Sequence, residues 1–295
     1  LLHVARGGQT LRETVVGPDM STEGRDLSFL ASHIFGAGVS EMAWQRPDNH
    51  LWIALADGSL AVLTYHHEQG ILGARRQELG GGWKVESLCA VPDPDGRDLV
   101  HLAAVRTKAG SPQRKHLVIQ PRSAGIFLDL AVTYDGTPSS LIPVGAWAEG
   151  ETLSAVADGG LVEGLVVSDG NVTLPAPAGL VHVGHPMRRR FKSLPLDLGG
   201  PGSMLAKSSR VTACMVVLGG VHAEVGVEGQ DLAEPIQAFE RVESRRATDE
   251  VPVSRRMRAR VSFGAGAERD NRLVVQSSQP FDLAVYALRP VASAN

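Results

Sequence analysis

The sequence predicts an all-β protein: β-propeller blades with an additional β-rich domain and one short helix. Two observations carry this expectation. The first is Leu51-Trp-Ile-Ala-Leu-Ala-Asp-Gly-Ser-Leu-Ala-Val-Leu-Thr-Tyr-His-His-Glu-Gln69, two apolar strand-forming runs on either side of Asp57-Gly58. Glycine tolerates positive φ and aspartate can bond its own backbone, so the chain should reverse there as a β-hairpin. The second is texture. The chain has 33 Gly and 17 Pro among its 295 residues, and short apolar runs recur between Gly, Pro and Asp punctuation. Successive antiparallel strands with short turns are the pattern of propeller blades, whose closed ring hides most sheet edges.

The elements follow in order. Leu1-Leu-His-Val4 reads as a strand, and with no initiating methionine it suggests a piece of a longer protein. Asp26–Phe35 predicts the single helix, with Leu27, Leu30, Ala31 and Ile34 on one stripe and Asp26 as its cap. Strands are expected at Leu51–Ala56, Leu60–Tyr65, Ile71–Gln77, Val85–Val91, Leu99–Arg106 and His116–Gln120. Gly80–Gly82 and Pro92–Gly96 are expected loops. Turn residues cluster at Tyr134–Ser139, so a boundary is placed there, giving propeller blades over 1–134 and a second β-rich domain over 135–295. The second part offers strands at Arg210–Leu218, Arg256–Phe263, Arg272–Gln276 and Phe281–Arg289. Ala56-Asp-Gly-Ser-Leu60 is echoed by Ala157-Asp-Gly-Gly-Leu161, but no regular period of ~40–50 residues accompanies it.

Composition narrows the chemistry. A net charge of −3 with 21% charged residues provides no global basic field to draw the protein onto nucleic acid. The two cysteines, Cys89 and Cys214, are too few for a disulfide framework and too widely spaced for a zinc knuckle. Both are expected to be buried, reduced thiols. No apolar run approaches the ~18–20 residues of a membrane-spanning helix.

Motifs for catalysis are weak throughout. His66-His67 would point to opposite faces of a strand, and His182-x-x-His185 is expected in a loop without nearby carboxylates or thiols, so no metal site is expected. Gly199–Ser208 imitates a phosphate loop but carries Pro201 and Ala206 where glycines are needed. No Gly-x-Ser-x-Gly elbow occurs. Asp57, Glu68, Asp129 or Glu149 could converge around a propeller axis as an acid pair. The plainer expectation is that Asp57 and Asp158 serve turns while Glu149 and Glu151 lie on a surface loop. Asn171-Val-Thr173 matches a glycosylation sequon and otherwise reads as a turn entering a strand. Basic residues gather at Arg188-Arg-Arg-Phe-Lys192 and, interleaved with acids, between Arg241 and Arg260, a pattern of a solvated or intersubunit face.

Together with Glu41-Met-Ala-Trp-Gln-Arg46, the Leu51–Gln69 stretch resembles the tail nozzle family (tail tubular protein B) of short-tailed bacteriophages. Similar runs follow in order: Val4–Gly8 and Leu11–Glu13 before the helix, then Phe127–Asp129, Thr133–Gly136, Glu149–Thr152, Ala157–Gly159, Val181–Gly184 and Lys207–Val211. The chain departs from the family at Gly184-His-Pro-Met187, Lys207-Ser-Ser-Arg210 and Ala74-Arg-Arg76. The resemblance implies a non-enzymatic virion part, assembled in the bacterial cytoplasm as a homo-hexameric ring beneath the phage adaptor that joins it to the portal. Tail fibres or the tail tip would be further partners, and double-stranded DNA would pass through the ring during retention and ejection. No cofactor is implied. Channel or subunit-interface candidates are Arg188, Arg189, Arg190, Lys192, Arg245, Arg246, Arg255 and Arg256. Pro92–Gly96 and Lys108–Lys115 are the loops suited to gating such a channel. The alternative is a propeller-type glycan hydrolase or lyase of a phage tail.

Overall fold

The Asp57-Gly58 reversal forms between β5 (His50–Leu55) and β6 (Leu60–His66). Asp57 accepts bonds from the Ser59 amide at 3.0 Å and the Ser59 hydroxyl at 2.6 Å, while Gly58 sits at φ 83°. A β-carbon on Gly58 would lie 2.5 Å from Lys84 Cβ, so both the left-handed backbone and close packing require glycine here. The computed structural model describes residues 1–195, 209–228, 236–237, 239–241, 250–252, 255–263 and 272–294. It is mostly β, with strands arranged in several small antiparallel sheets.

Two compact units divide the chain, Leu1–Ala124 and Gly125–Asn295. In the first, β1 (Leu2–Val4), β2 (Leu11–Val16) and β3 (Thr22–Asp26) form one meander. β4 (Val39–Gln45), β5, β6 and β7 (Ile71–Gln77) form a four-stranded meander, and β8 (Lys84–Pro92), β9 (Asp98–Lys108) and β10 (Ser111–Ile119) a third. The central sheet is covered on both faces. Leu51, Ile53, Leu55, Leu63 and Tyr65 pack with Leu11, Leu27, Ile34 and Phe35, whereas Trp52, Ala54, Leu60 and Val62 pack with Val85, Leu88, Val100 and Leu102. Two-sided burial explains why β5 and β6 are continuously apolar instead of alternating. A buried polar chain pins the edge: Trp52 Nε1 donates to Gln45 Oε1 at 2.7 Å, and Gln45 Nε2 donates to the Asp98 carbonyl at 2.9 Å. No closed ring of blades is found among the described residues.

The helix is shorter than expected. A 3-10 turn over Phe29–Ala31 runs into α1 (Ser32–Phe35), and Asp26 ends β3 rather than capping a helix. Its carboxylate accepts from the Ser28 amide and hydroxyl, both at 2.8 Å, and Ser28 Oγ accepts the Leu11 amide, which ties the turn to β2. These local side-chain bonds compete with helix initiation. Leu27 and Ile34 are buried, but Leu30, assigned to the same stripe, is 86% exposed. Lys108–Lys115 is also not a loop. Ala109 and Gly110, both at positive φ, close a two-residue hairpin between β9 and β10. Cys89 is exposed on β8, contrary to expectation, and Cys214 is buried.

The second unit begins with β11 (Leu128–Pro143), β12 (Thr152–Ala157), β13 (Gly160–Val166) and β14 (Asn171–Pro186), a sheet in the order β11-β14-β12-β13 over a core of Ile142, Leu153, Val172, Val181 and Val183. Tyr134–Ser139, the expected domain boundary, lies inside β11. The register slips between Asp135 and Ser139, so these turn residues mark a bulge in a long strand and the units divide earlier, at Ala124. His182 and His185 lie on β14, not in a loop, and Asn171 opens that strand after the Asp169-Gly170 turn.

The remaining strands are β15 (Arg189–Lys192), β16 (Ser209–Gly220), β17 (His222–Val227), β18 (Ile236–Gln237), β19 (Phe239–Arg241), β20 (Glu250–Pro252), β21 (Arg255–Ser262), β22 (Leu273–Ser277) and β23 (Leu283–Ala294). Sheets β15-β22-β17-β18 and β21-β16-β23 share one core. Cys214, Val216, Leu218, Met257 and Val261 from one meet Ala223, Val225, Leu273 and Val275 from the other. The result is a small β-sandwich.

Candidate functional site

Strand alternation puts a row of arginines on the outer face of this sandwich. Along β21, Met257 and Val261 point into the core, and Arg256, Arg258 and Arg260 stand exposed on the opposite side. Their cross-strand partners on β16 are Gly219, Val217 and Met215, whose neighbours Leu218, Val216 and Cys214 are buried. Met215 in turn pairs with Arg289 on β23, which adds a fourth outward guanidinium. Tyr286, at the register slip of β23, lies over Gly219, where a β-carbon would come 2.8 Å from its ring. Arg256 stacks on that ring, its guanidinium carbon 5.0 Å from the centroid.

Two residues of strand span about 6.8 Å and two strand spacings about 10 Å, so the four cations form a patch near 14 Å by 10 Å. At such separations in water each pair repels by only ~0.5 kcal/mol, and the distances are close to the ~8 Å Debye length. The row is therefore tolerable without counter-charges, and no carboxylate among the described residues pairs with Arg256, Arg258, Arg260 or Arg289. Such a face can take up a row of anionic groups.

The other predicted basic residues are placed differently. Arg188 donates to Gln276 Oε1 at 2.7 Å, and Arg189 donates to the Gln279 carbonyl and stacks over Phe127 at 5.6 Å. Lys192 donates to Glu228 Oε1 at 2.9 Å, a bond that, with the Arg272 and Arg190 charges, holds the Glu228 carboxyl below its usual range. Arg190 is exposed, and no hydrogen bond or ring contact of its side chain is found among the described residues. Arg255 is exposed at the start of β21 opposite Gly220, off the outward row. Arg245 and Arg246 lie outside the described residues, as does Gly199–Ser208. The structure thus brings only Arg256 into the patch and adds Arg258, Arg260, Arg289 and Tyr286. The alternation Arg256-Met-Arg-Ala-Arg-Val261 was the signal for the first two. Nothing local in sequence points to Arg289, which arrives through the register of β23.

The four carboxylates considered for acid–base work are divided between the two units. Asp57 and Glu68 stand at opposite ends of β6 in the first unit, and Asp129 and Glu149 belong to the second. Asp57 serves its turn and bonds Arg76; the Ser59 bonds chiefly, then Arg76, lower its pKa. Asp158 accepts the Gly179 and Leu180 amides, and Glu149 accepts those of Asp169 and Gly170. Glu151 is not on an open loop: its Oε2 lies 3.0 Å from His185 Nε2, and both side chains are largely buried.

A second polar cluster was not anticipated. A cavity of about 440 Å³ in the first unit is lined by Leu1, Glu13, Trp44, Tyr65, His66 and His67, among others. Tyr65 donates to Glu13 Oε2 at 2.5 Å, and His67 Nδ1 lies 3.1 Å from Glu13 Oε1. Burial first, then the bond to Glu13 and its charge, push the Tyr65 pKa up to about 12. Tyr65 is therefore a fixed donor at neutral pH and no base. His66 and His67 reach the same cavity because β6 ends at His66, so strand alternation does not separate them. No group of three or more His, Cys, Asp or Glu side chains among the described residues is arranged to hold a metal ion.

No protein-family model matches the chain, and no curated protein matches its sequence.

Proposed function

We propose that the chain is a structural protein of a short-tailed bacteriophage tail nozzle, six copies of which form a ring around the channel that retains and ejects genomic DNA. The observation that carries this reading is the arginine face of β16, β21 and β23: exposed guanidinium groups without acid partners among the described residues, on a rigid sheet. A conduit for double-stranded DNA needs local phosphate contacts that position the duplex, without a global positive field that would trap it. The net charge of −3 meets the second requirement. The stack of three antiparallel sheets in the first unit supports the finer reading of propeller blades, since neighbouring blades pack face to face and bury both faces of the sheet between them. The ordered runs from Glu41–Gln69 to Lys207–Val211 that resemble the nozzle family add to this. In this reading the ring docks beneath the phage adaptor, and the protein resides in the virion after assembly in the host cytoplasm. Single-particle electron microscopy of the full-length protein, alone and with its adaptor, tests it. A sixfold ring with Arg256, Arg258 and Arg260 facing the channel is expected, and a monodisperse monomer indifferent to the adaptor would overturn it.

A second reading, a phage-tail glycan hydrolase or lyase, draws on the Glu13–Tyr65–His67 cavity with Trp44 at its wall, a surface on which a sugar ring could stack. With Tyr65 locked as a donor, proton transfer would fall to His67 or Glu68. Incubation with a panel of bacterial surface polysaccharides, read by reducing ends and by ultraviolet absorbance of unsaturated products, distinguishes the two.

A further inference from the structure

Every residue of the outer strand β3 (Thr22–Asp26) is exposed, and the strand pairs on one side only, with β2. Backbone bonds at its two ends fix which way each residue faces. The Ser21 carbonyl accepts from the Gly17 amide and the Leu27 amide donates to the Leu11 carbonyl, so residues 21, 23, 25 and 27 direct their polar backbone groups at β2. Thr22, Gly24 and Asp26 direct theirs at the open edge. Such edges are usually guarded by prolines or by charges of one sign. β7 carries the adjacent cations Arg75 and Arg76, β10 carries Pro112, Arg114 and Lys115, and β23 carries Pro290. β3 has no proline, and its Glu23 and Arg25 stand on one face with opposite signs. Neither has an ion-pair partner among the described residues. Glu13, the carboxylate opposite Arg25, is bonded to Tyr65 and lies 3.1 Å from His67.

We propose that β3 pairs antiparallel with β3 of a second copy of this chain, about a twofold axis at Gly24. Gly24 then faces Gly24 of the second copy and Thr22 faces its Asp26, and each of these pairs exchanges two N–H···O bonds through the outward backbone groups. Glu23 falls in the closer, non-bonded kind of pair, opposite Arg25 of the second copy at a Cα separation of about 4.5 Å, and the contact repeats across the axis. The strand's charges are thus their own complement, whereas parallel pairing would set Glu23 against Glu23. On the other face Arg12 leans over Gly24, 3.4 Å from where a β-carbon would be, and the Asp26 carboxylates of both strands flank the two guanidinium groups, so that face is balanced as well. Apolar side chains left in water supply an independent observation. The same register, carried past the strand ends, sets Met20 beside Ser28 and Phe29 of the second copy, and Met20, Phe29 and Leu30 are 81%, 74% and 86% exposed. A twofold contact is isologous and cannot close a sixfold ring. It joins two free copies or two rings, and so stands apart from the nozzle reading.

Sedimentation velocity of the untagged full-length chain over a concentration series tests the proposal. An even-numbered assembly is expected, whose mass halves in the Glu23→Arg variant because arginines then face each other on both sides of the axis, with association weakened about tenfold or more. Arg25→Glu should do the same with carboxylates. Mixing the two variants should restore the wild-type mass, since each strand then carries a single sign and the two signs attract. Glu23 stands opposite the exposed Val15, so Glu23→Arg should leave the fold intact, which circular dichroism checks. Should Arg25→Glu unfold because it faces Glu13, the Glu23→Arg result decides alone. A monomer at every concentration, a mass that charge reversal leaves unchanged, or folded variants that do not recombine on mixing would overturn the proposal.

Discussion

If the arginine face meets duplex DNA, the salt dependence of binding should count its cations. Each phosphate neutralised on B-DNA contributes about −0.9 to the slope of log K against log salt. Arg256, Arg258, Arg260 and Arg289 therefore contribute about −3.6. Between 50 and 200 mM salt that slope lowers affinity by roughly 150-fold. Replacing all four by glutamine should flatten the slope by that amount, and Arg258→Gln alone by about 0.9. The four side chains are exposed, so unfolding stability should change by no more than about 0.5 kcal/mol beyond the ~0.5–1 kcal/mol of the Arg256–Tyr286 stacking. Fluorescence anisotropy of a labelled duplex across a salt series measures the slope. A variant carrying Arg188→Gln and Lys192→Gln serves as control: these side chains are occupied by Gln276 and Glu228, and the slope should hardly move. An unchanged slope in the fourfold variant would refute the assignment of this face to DNA.

Gly58→Ala should destabilise the first unit by about 2–3 kcal/mol, combining the strain of a non-glycine residue at positive φ with displacement of Lys84, and a denaturant midpoint equal to wild type would contradict the packing derived for that turn. Tyr65→Phe removes the donor on a buried carboxylate and should cost about 1.5–3 kcal/mol, read as a lowered thermal midpoint. Stability should also fall on acidification. Burial lowers the pKa of His50, His182 and His222, so below the ordinary histidine range near 6.5 the unfolded chain binds more protons than the folded one. Stability is thus full above pH 6.5 and lost below it, at up to about 1.4 kcal/mol per pH unit for each such proton. His222→Gln, which keeps a hydrogen-bonding group near Ser277, should reduce this slope in urea melts between pH 7 and pH 5; a slope identical to wild type would exclude His222 as a contributor.

What could be read from the sequence was what the chain decides locally. Asp57-Gly58 between apolar runs leaves little choice but a hairpin, and Ile71–Gln77 is strand over the expected residues because Gly70 and the Glu78–Gly82 stretch punctuate it at both ends. The failures share a cause. A helical stripe of four apolar residues at Leu27–Ile34 cannot outweigh the Asp26–Ser28–Leu11 bonds that draw the segment onto β2, since Leu11 is far away in sequence. Residue type alone puts Cys89 in the interior, but which face of β8 is covered depends on the neighbouring sheet, and Leu88 takes the inward position. The arginine row was half legible for the same reason. Alternation along β21 declares that Arg256, Arg258 and Arg260 share a face, but only the pairing of β16 with β23 brings in Arg289 and Tyr286. The His101–His116 pair is set entirely by hairpin register: a slip of one residue in β10 would send His116 to the opposite face. Membership of a sheet face is decided by strand pairing, and the residues worth mutating first are those that pairing, rather than sequence proximity, brings together.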